Sequence, residues 1–133
     1  MNLVSTGNSG LDYILKGGLP TSRMYLIEGD PGTGKTSVGL QFLIDGADKG
    51  EKVLHITLAE SKAELEDIAA SHSWDLRGIT VEELVPREDV LDPDANYTMF
   101  HPSEVELGEA LKQIFERASQ LMPRRIVVDS LSE

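Results

Sequence analysis

Cysteine is absent from this 133-residue sequence, which excludes disulfides and thiolate metal sites and leaves the redox compartment open. Basic residues are scarce: 12 Lys and Arg stand against 23 Asp and Glu, for a formal charge of −11. Neutralising a nucleic-acid backbone needs clustered Lys and Arg, so this balance argues against a broad DNA-binding face. The acidity is as readily read as a means of staying soluble. No apolar run approaches the roughly 18 residues of a membrane span, and Met1-Asn2-Leu3-Val4 is followed by neither a basic segment nor a signal core. A cytoplasmic location with no membrane partner is the default expectation. With 40% hydrophobic and 26% charged residues, the chain suits one domain with one modest core.

What is present centres on Glu28-Gly29-Asp30-Pro31-Gly32-Thr33-Gly34-Lys35-Thr36-Ser37. From Gly29 to Thr36 it matches G-x-x-x-x-G-K-S/T, the Walker A phosphate-loop pattern. Gly32 and Gly34 carry no side chain, so backbone N–H groups can turn inward around phosphate oxygens. Lys35 brings a point charge to the β- and γ-phosphates, and the Thr36 hydroxyl can serve as a Mg²⁺ ligand. The pattern needs a strand before it and a helix after it. Arg23 to Glu28 reads as the strand and Lys35 to Lys49 as the helix, stopped by Gly50. The positive end of that helix would face the phosphates.

Around the loop, apolar spacing alternates between helical and strand periods. Ser5 to Pro20 reads as a short helix closed by Gly17-Gly18-Leu19-Pro20, with Leu11, Ile14 and Leu15 on one face, lying as a lid against the sheet edge. Gly39, Phe42, Leu43 and Gly46 share one side of the loop helix, and two glycines there predict a close approach to the sheet. Lys52 to Leu58 is a second strand, followed by a Ser61–Glu64 capping box and a buried stripe of Leu65, Ile68, Ala69 and His72. Ile79 to Leu84 is a third strand candidate. Pro86 to Pro102 reads as a long loop, and Ser103–Glu106 as a second capping box. The next helix presents Leu107, Leu111, Ile114, Phe115, Ala118, Leu121 and Met122 on one face and is closed by Pro123. Arg124 to Ser130 is a strand ending in Asp129. Strands alternating with helices require right-handed crossovers and a parallel sheet covered on both faces, so the fold class is α/β.

Asp129 supplies what a phosphate loop needs opposite Thr36, an acid at a strand end that holds Mg²⁺ through water. Glu60 sits between a strand's carboxyl end and a helix start, on the ligand-binding edge of an open α/β sheet. Two roles stay open for it: orienting or deprotonating a nucleophile, or stabilising the positive end of the next helix as a solvated acid. His55, His72 and His101 share no ligand spacing and read as structural, and no Ser-His-Asp grouping can be assembled.

Thr6-Gly7-x-x-Gly10-Leu11-Asp12-x-x-Leu15-x-Gly17-Gly18-Leu19-Pro20 stands ahead of the phosphate loop. Thr57-Leu58-Ala59-Glu60-Ser61, Ser71-His72-Ser73-Trp74-Asp75-Leu76 and Ile126-Val127-Val128-Asp129-Ser130 follow it. On these segments the chain resembles the KaiC-type branch of the RecA-like P-loop ATPases over nearly its whole length. The resemblance implies ATP and Mg²⁺, ring-shaped hexamers, and nucleotide at the subunit interface. It places Gly32, Thr33, Gly34, Lys35, Thr36 and Ser37 on the phosphates and Ser71 near the adenosine. KaiC domains carry adjacent glutamates after the second strand. Here the pair is Ala59-Glu60, and the residue usually assigned as the base matches Ala59, so Glu60 must substitute or catalysis is weak. RecA-like sheets also insert a later strand between the phosphate-loop strand and the Asp129 strand. The sequence therefore reads as the N-terminal part of one longer domain.

The expectation is an ATPase in which Lys35 and Glu60 are catalytic and Thr36 and Asp129 hold the metal. A nucleotide-binding signalling or assembly module with a protein partner and little hydrolysis is the alternative. A DNA recombinase of the same superfamily is disfavoured by the charge.

Overall fold

The computed structural model describes residues 2–84 and 102–130, with the side chains at 102–107 and 110 outside that description. Strands β1 (Leu3–Val4) and β2 (Leu19–Pro20) pair antiparallel. Between them lies helix α1 (Ser9–Ile14), whose Asn8 cap accepts the Leu11 N–H at 3.0 Å. Asp12 ties this segment together, accepting from the Ser5 hydroxyl at 2.6 Å and from the Thr6 N–H at 2.8 Å. The Ser5 hydrogen bond above all holds its carboxyl below the usual carboxylate range. The small antiparallel ladder was not legible in the sequence. The expected apolar face of α1 is not a buried one either: Ile14 is 76% exposed and no α1 residue is buried.

Helix α2 (Lys35–Asp48) follows the phosphate loop and packs on the sheet through Gly39, Leu40, Leu43 and Gly46, all buried. The two glycines fit the close approach expected of them. A Cβ on Gly39 would come within 3.1 Å of Val127, and one on Gly46 within 2.8 Å of the Arg125 side chain. The sheet beneath is parallel, in the order β4-β3-β5, with β3 (Val53–Thr57), β4 (Thr80–Glu83) and β5 (Arg125–Asp129). Every β3 residue is buried, as a central strand covered on both faces requires. Its register sets His55 beside Val127 and Thr57 beside Asp129, which brings the carboxyl ends of β3 and β5 to one level.

Helix α3 (Lys62–Ser71) starts as expected, with the Ser61 hydroxyl oxygen accepting the Glu64 N–H at 3.1 Å. Leu65 and Ala69 join the core with Leu40, Leu43, Val53, Leu76 and Ile79, and Ile68 packs against it. His72 does not belong to that stripe. It caps the helix C-terminus and is exposed, because the chain leaves helical geometry there. Helix α4 (Pro102–Leu121) is tied to β4 by an Arg117–Glu82 ion pair at 3.0 Å. Ser103 is already inside this helix rather than its cap. Of its expected apolar face, Ile114, Ala118 and Leu121 are half-buried, while Leu111 (43%), Phe115 (71%) and Met122 (76%) project from the packed surface. The loop expected from Pro86, together with His101, lies outside the described residues, except that Pro102 opens α4.

The segment from Arg23 to Glu28 differs most from expectation. It joins no sheet among the described residues, and Met24 (97%), Leu26 (75%) and Ile27 (54%) are exposed. A strand needs a neighbour for its backbone N–H and C=O groups. β5 pairs with β3 on one side, and no described strand lies on its other side.

One residue that sequence reasoning passed over ties these layers together. The Arg125 side chain is 3% exposed and pairs with Glu51 at 2.7 Å and Asp45 at 3.0 Å. It donates to the Phe42 carbonyl at 2.7 Å and the Ser5 carbonyl at 3.1 Å, and its guanidinium lies 4.8 Å from the Phe42 ring centroid. Buried charge is tolerated when it is this fully paired.

Candidate nucleotide-binding site

The site is built where α2 begins. Gly34 is the helix N-cap with φ +100°, a left-handed conformation that glycine takes at no steric cost, and no side chain caps the helix. The first helical bond runs from the Val38 N–H to the Gly34 carbonyl at 3.0 Å. The N–H groups ahead of it in the first turn lack intrahelical partners and carry the positive end of the helix dipole, which suits an anion. Within the loop, the Thr33 hydroxyl donates to the Asp30 carbonyl at 2.8 Å. Lys35 Nζ donates to the Gly29 carbonyl. The lysine thus lies back along its own loop.

Asp129 reaches this helix from the end of β5. The Thr36 hydroxyl donates to Asp129 Oδ2 at 2.7 Å, joining residues 93 positions apart. Both are hard oxygen donors, the chemistry that magnesium prefers. Among the described residues no group of three or more His, Cys, Asp or Glu could hold a metal ion unaided. These two oxygens fit a magnesium ion in kind, and Thr36 and Asp129 are the residues that would hold one.

Glu60 stands at the same edge. The turn carrying it is pinned by Thr57, whose hydroxyl oxygen accepts the Glu60 N–H at 2.9 Å and whose hydroxyl donates to the Glu60 carbonyl at 2.7 Å. Its Oε2 is buried with no hydrogen-bond partner among the described residues. Burial raises its carboxyl above the usual range, and the negative charges of Asp129 and Glu64 add to that. Glu60 is thus half-buried rather than fully solvated. Ala59 beside it is exposed and carries no acid. Behind this edge, His55 is wholly buried, and neither ring nitrogen has a hydrogen-bond partner among the described residues. Burial lowers its proton affinity, and the Asp129 charge only partly opposes that.

The residues read from the sequence thus fall into three groups. Thr36 and Asp129 are brought into contact, with Glu60 at the same sheet edge. Gly32, Thr33, Gly34, Lys35 and Ser37 form the loop and first turn. Ser71 is a different case: its hydroxyl donates to the Ile68 carbonyl at 2.6 Å, spent inside its own helix. The neighbouring His72 is the residue that reaches the loop helix, with Nε2 3.2 Å from the Ser37 hydroxyl oxygen. No spacing rule points to that contact, because it depends on how α3 ends.

Comparison with known proteins follows the same outline. Over 97% of this chain, a UPF0273 protein of Pyrococcus furiosus is 28% identical, the match covering 54% of that protein. A UPF0273 protein of Aeropyrum pernix is 29% identical, again over 97% of this chain and 54% of its own length. The circadian clock oscillator protein KaiC of Prochlorococcus marinus subsp. pastoris is 31% identical over 97% of this chain and 25% of its own length. The chain therefore spans about half the length of the UPF0273 relatives it matches. The family described as "ATPase: KaiC" matches residues 4–133. Since that match takes in the loop, the Glu60 turn and the Asp129 strand together, the chain belongs to the KaiC ATPase family.

Proposed function

We propose that this chain holds ATP and Mg²⁺ as part of a KaiC-like P-loop ATPase domain, working within a ring-shaped homo-oligomer in the cytoplasm. The observation that carries the reading is the 2.7 Å contact between Thr36 and Asp129 at an uncapped helix N-terminus. In this reading the N–H groups of Gly32 to Ser37 take the phosphate oxygens. Lys35 leaves the Gly29 carbonyl and turns its charge to the β- and γ-phosphates, where charge grows in the transition state. The metal, when bound, draws negative charge from the phosphates. Thr36 and Asp129 orient it, and Glu60 aligns a water and takes its proton.

Calorimetric titration with ATP in Mg²⁺ tests this. The parent chain is expected to show saturable binding, and Lys35→Ala to lose it by about 100-fold or more, as the removal of a charge-assisted phosphate contact predicts. Equal affinity in the two proteins would overturn the reading. Ala59 favours a second reading, a signalling or assembly module that binds nucleotide and scarcely hydrolyses it. Turnover separates the two: Glu60→Gln with binding intact and a large loss of rate supports the ATPase, and an unchanged rate supports the module.

A further inference from the structure

His72 and Ser37 come from different helices, and nothing in the phosphate-loop pattern requires them to meet. The imidazole is nevertheless held in place on two sides. Its ring stacks on Trp74 with centroids 4.3 Å apart and planes 21° from parallel. Its Nε2 lies 3.2 Å from Ser37 Oγ. Trp74 packs against the core, and its backbone N–H donates to the Ala69 carbonyl at 2.8 Å, which fixes the turn that carries it. Ser37 is the third residue of α2, in its first turn.

We propose that His72 is a positioning residue that aims the Ser37 hydroxyl at the phosphates of the bound nucleotide and does so most strongly when the imidazole is charged. This rests on the nucleotide-binding reading above. A neutral imidazole can accept at Nε2, and the Ser37 proton is then spent on the ring. A charged imidazolium has only donors. Ser37 Oγ must then accept from His72, and its own proton is released to a phosphate oxygen. The same protonation sets a positive charge beside the anion. Both effects tighten nucleotide binding as pH falls.

Three and four residues back along α3 stand Ala69 and Ile68, which carry no charge. On α2, Lys35 shares the first turn and is engaged with the Gly29 carbonyl. Asp45 and Asp48 line the small cavity beside Trp74, and Asp45 is held by Lys49 and Arg125. Beyond Trp74, Asp75 is paired with Arg77 at 2.5 Å.

Trp74 is the only tryptophan in the chain, so its emission reports on His72. A charged imidazolium stacked on an indole quenches it. The experiment pairs calorimetric titration with Mg·ATP and a pH titration of Trp74 emission in the parent, His72→Phe, His72→Gln and Ser37→Ala. His72→Phe keeps an aromatic ring on Trp74 and serves as the reference, because the nucleotide's own phosphate titrates over the same range. Relative to His72→Phe, the parent is expected to bind about 3- to 10-fold more tightly near pH 6 than near pH 8, as a positive charge gained beside the phosphates predicts. The parent's emission curve should move to higher pH when Mg·ATP is added. His72→Gln should behave as His72→Phe with respect to pH, and Ser37→Ala should remove most of the effect of changing His72, as coupled partners do. Retained binding with a parent-to-Phe ratio that is the same at both pH values overturns this proposal alone. No binding at either pH by the folded parent overturns the nucleotide reading and this proposal with it.

Discussion

Glu60 carries a pH-dependent cost in stability at this site. Its carboxyl sits above the ordinary range because burial, then Asp129, then Glu64 all disfavour the charge. A raised carboxyl binds its proton more tightly in the folded than in the unfolded state. Its contribution to stability is therefore full below the ordinary value of 4.5 and is lost as pH rises through the folded value. As pH rises, the charged form is disfavoured by its surroundings, and glutamine would relieve that. Glu60→Gln should raise the melting temperature at pH 7, and the gap should close by about pH 4, where both side chains are neutral. Thermal denaturation of the two proteins across that range checks it; a gap of constant size would assign the effect to packing instead. Much of this site was legible in the sequence, since Thr36, Asp129 and Glu60 follow from loop spacing and strand ends. His72 was not, because its place depends on the turn that closes α3, where Ser73 takes a positive φ of 61°.

Among the elements, β3 and α2 were read correctly because each carries its own pattern: a continuous apolar strand, and a helix with two glycines on the buried side. What the pattern could not show is that the cation at the start of β5 is the pin between them. An arginine opening a strand looks like a solvated end, yet Arg125 is enclosed by Gly46, Phe42, Asp45 and Glu51. Gly46 is small because the arginine needs its space. Arg125→Met fills a similar volume but leaves Asp45, Glu51 and two backbone carbonyls without their donor. It should cost about 3 kcal/mol, the lower end for breaking a buried pair, because both acids keep some contact with water. Gly46→Ala should cost about 1–3 kcal/mol by forcing the pinned guanidinium aside. Urea denaturation measures both. If Arg125→Met proves neutral, the ion cluster is decorative and the α2–β5 packing rests on other contacts, Gly39–Val127 among them.

For the whole molecule, the consequence lies in what stays uncovered. Met24, Leu26 and Ile27 in the segment before the loop, Ile126 on β5, and Phe115 on α4 are all at least 41% exposed. The sequence suggested a strand at 23–28 because its residues have the composition of one, but composition does not supply the neighbour that a strand's backbone must pair with. Apolar side chains gathered on a surface bind hydrophobic dyes and draw copies of a protein together. An edge strand with an unpaired side does the same. Replacing Leu26 and Ile27 by Lys and Thr removes apolar surface without touching the buried core or the Thr36–Asp129 contact. The double variant should bind an anilinonaphthalene dye more weakly and sediment closer to the monomer mass than the parent, with the same far-ultraviolet circular dichroism. Unchanged dye binding and sedimentation would mean that this segment is covered in solution, and that association, if any, uses the α4 face around Phe115.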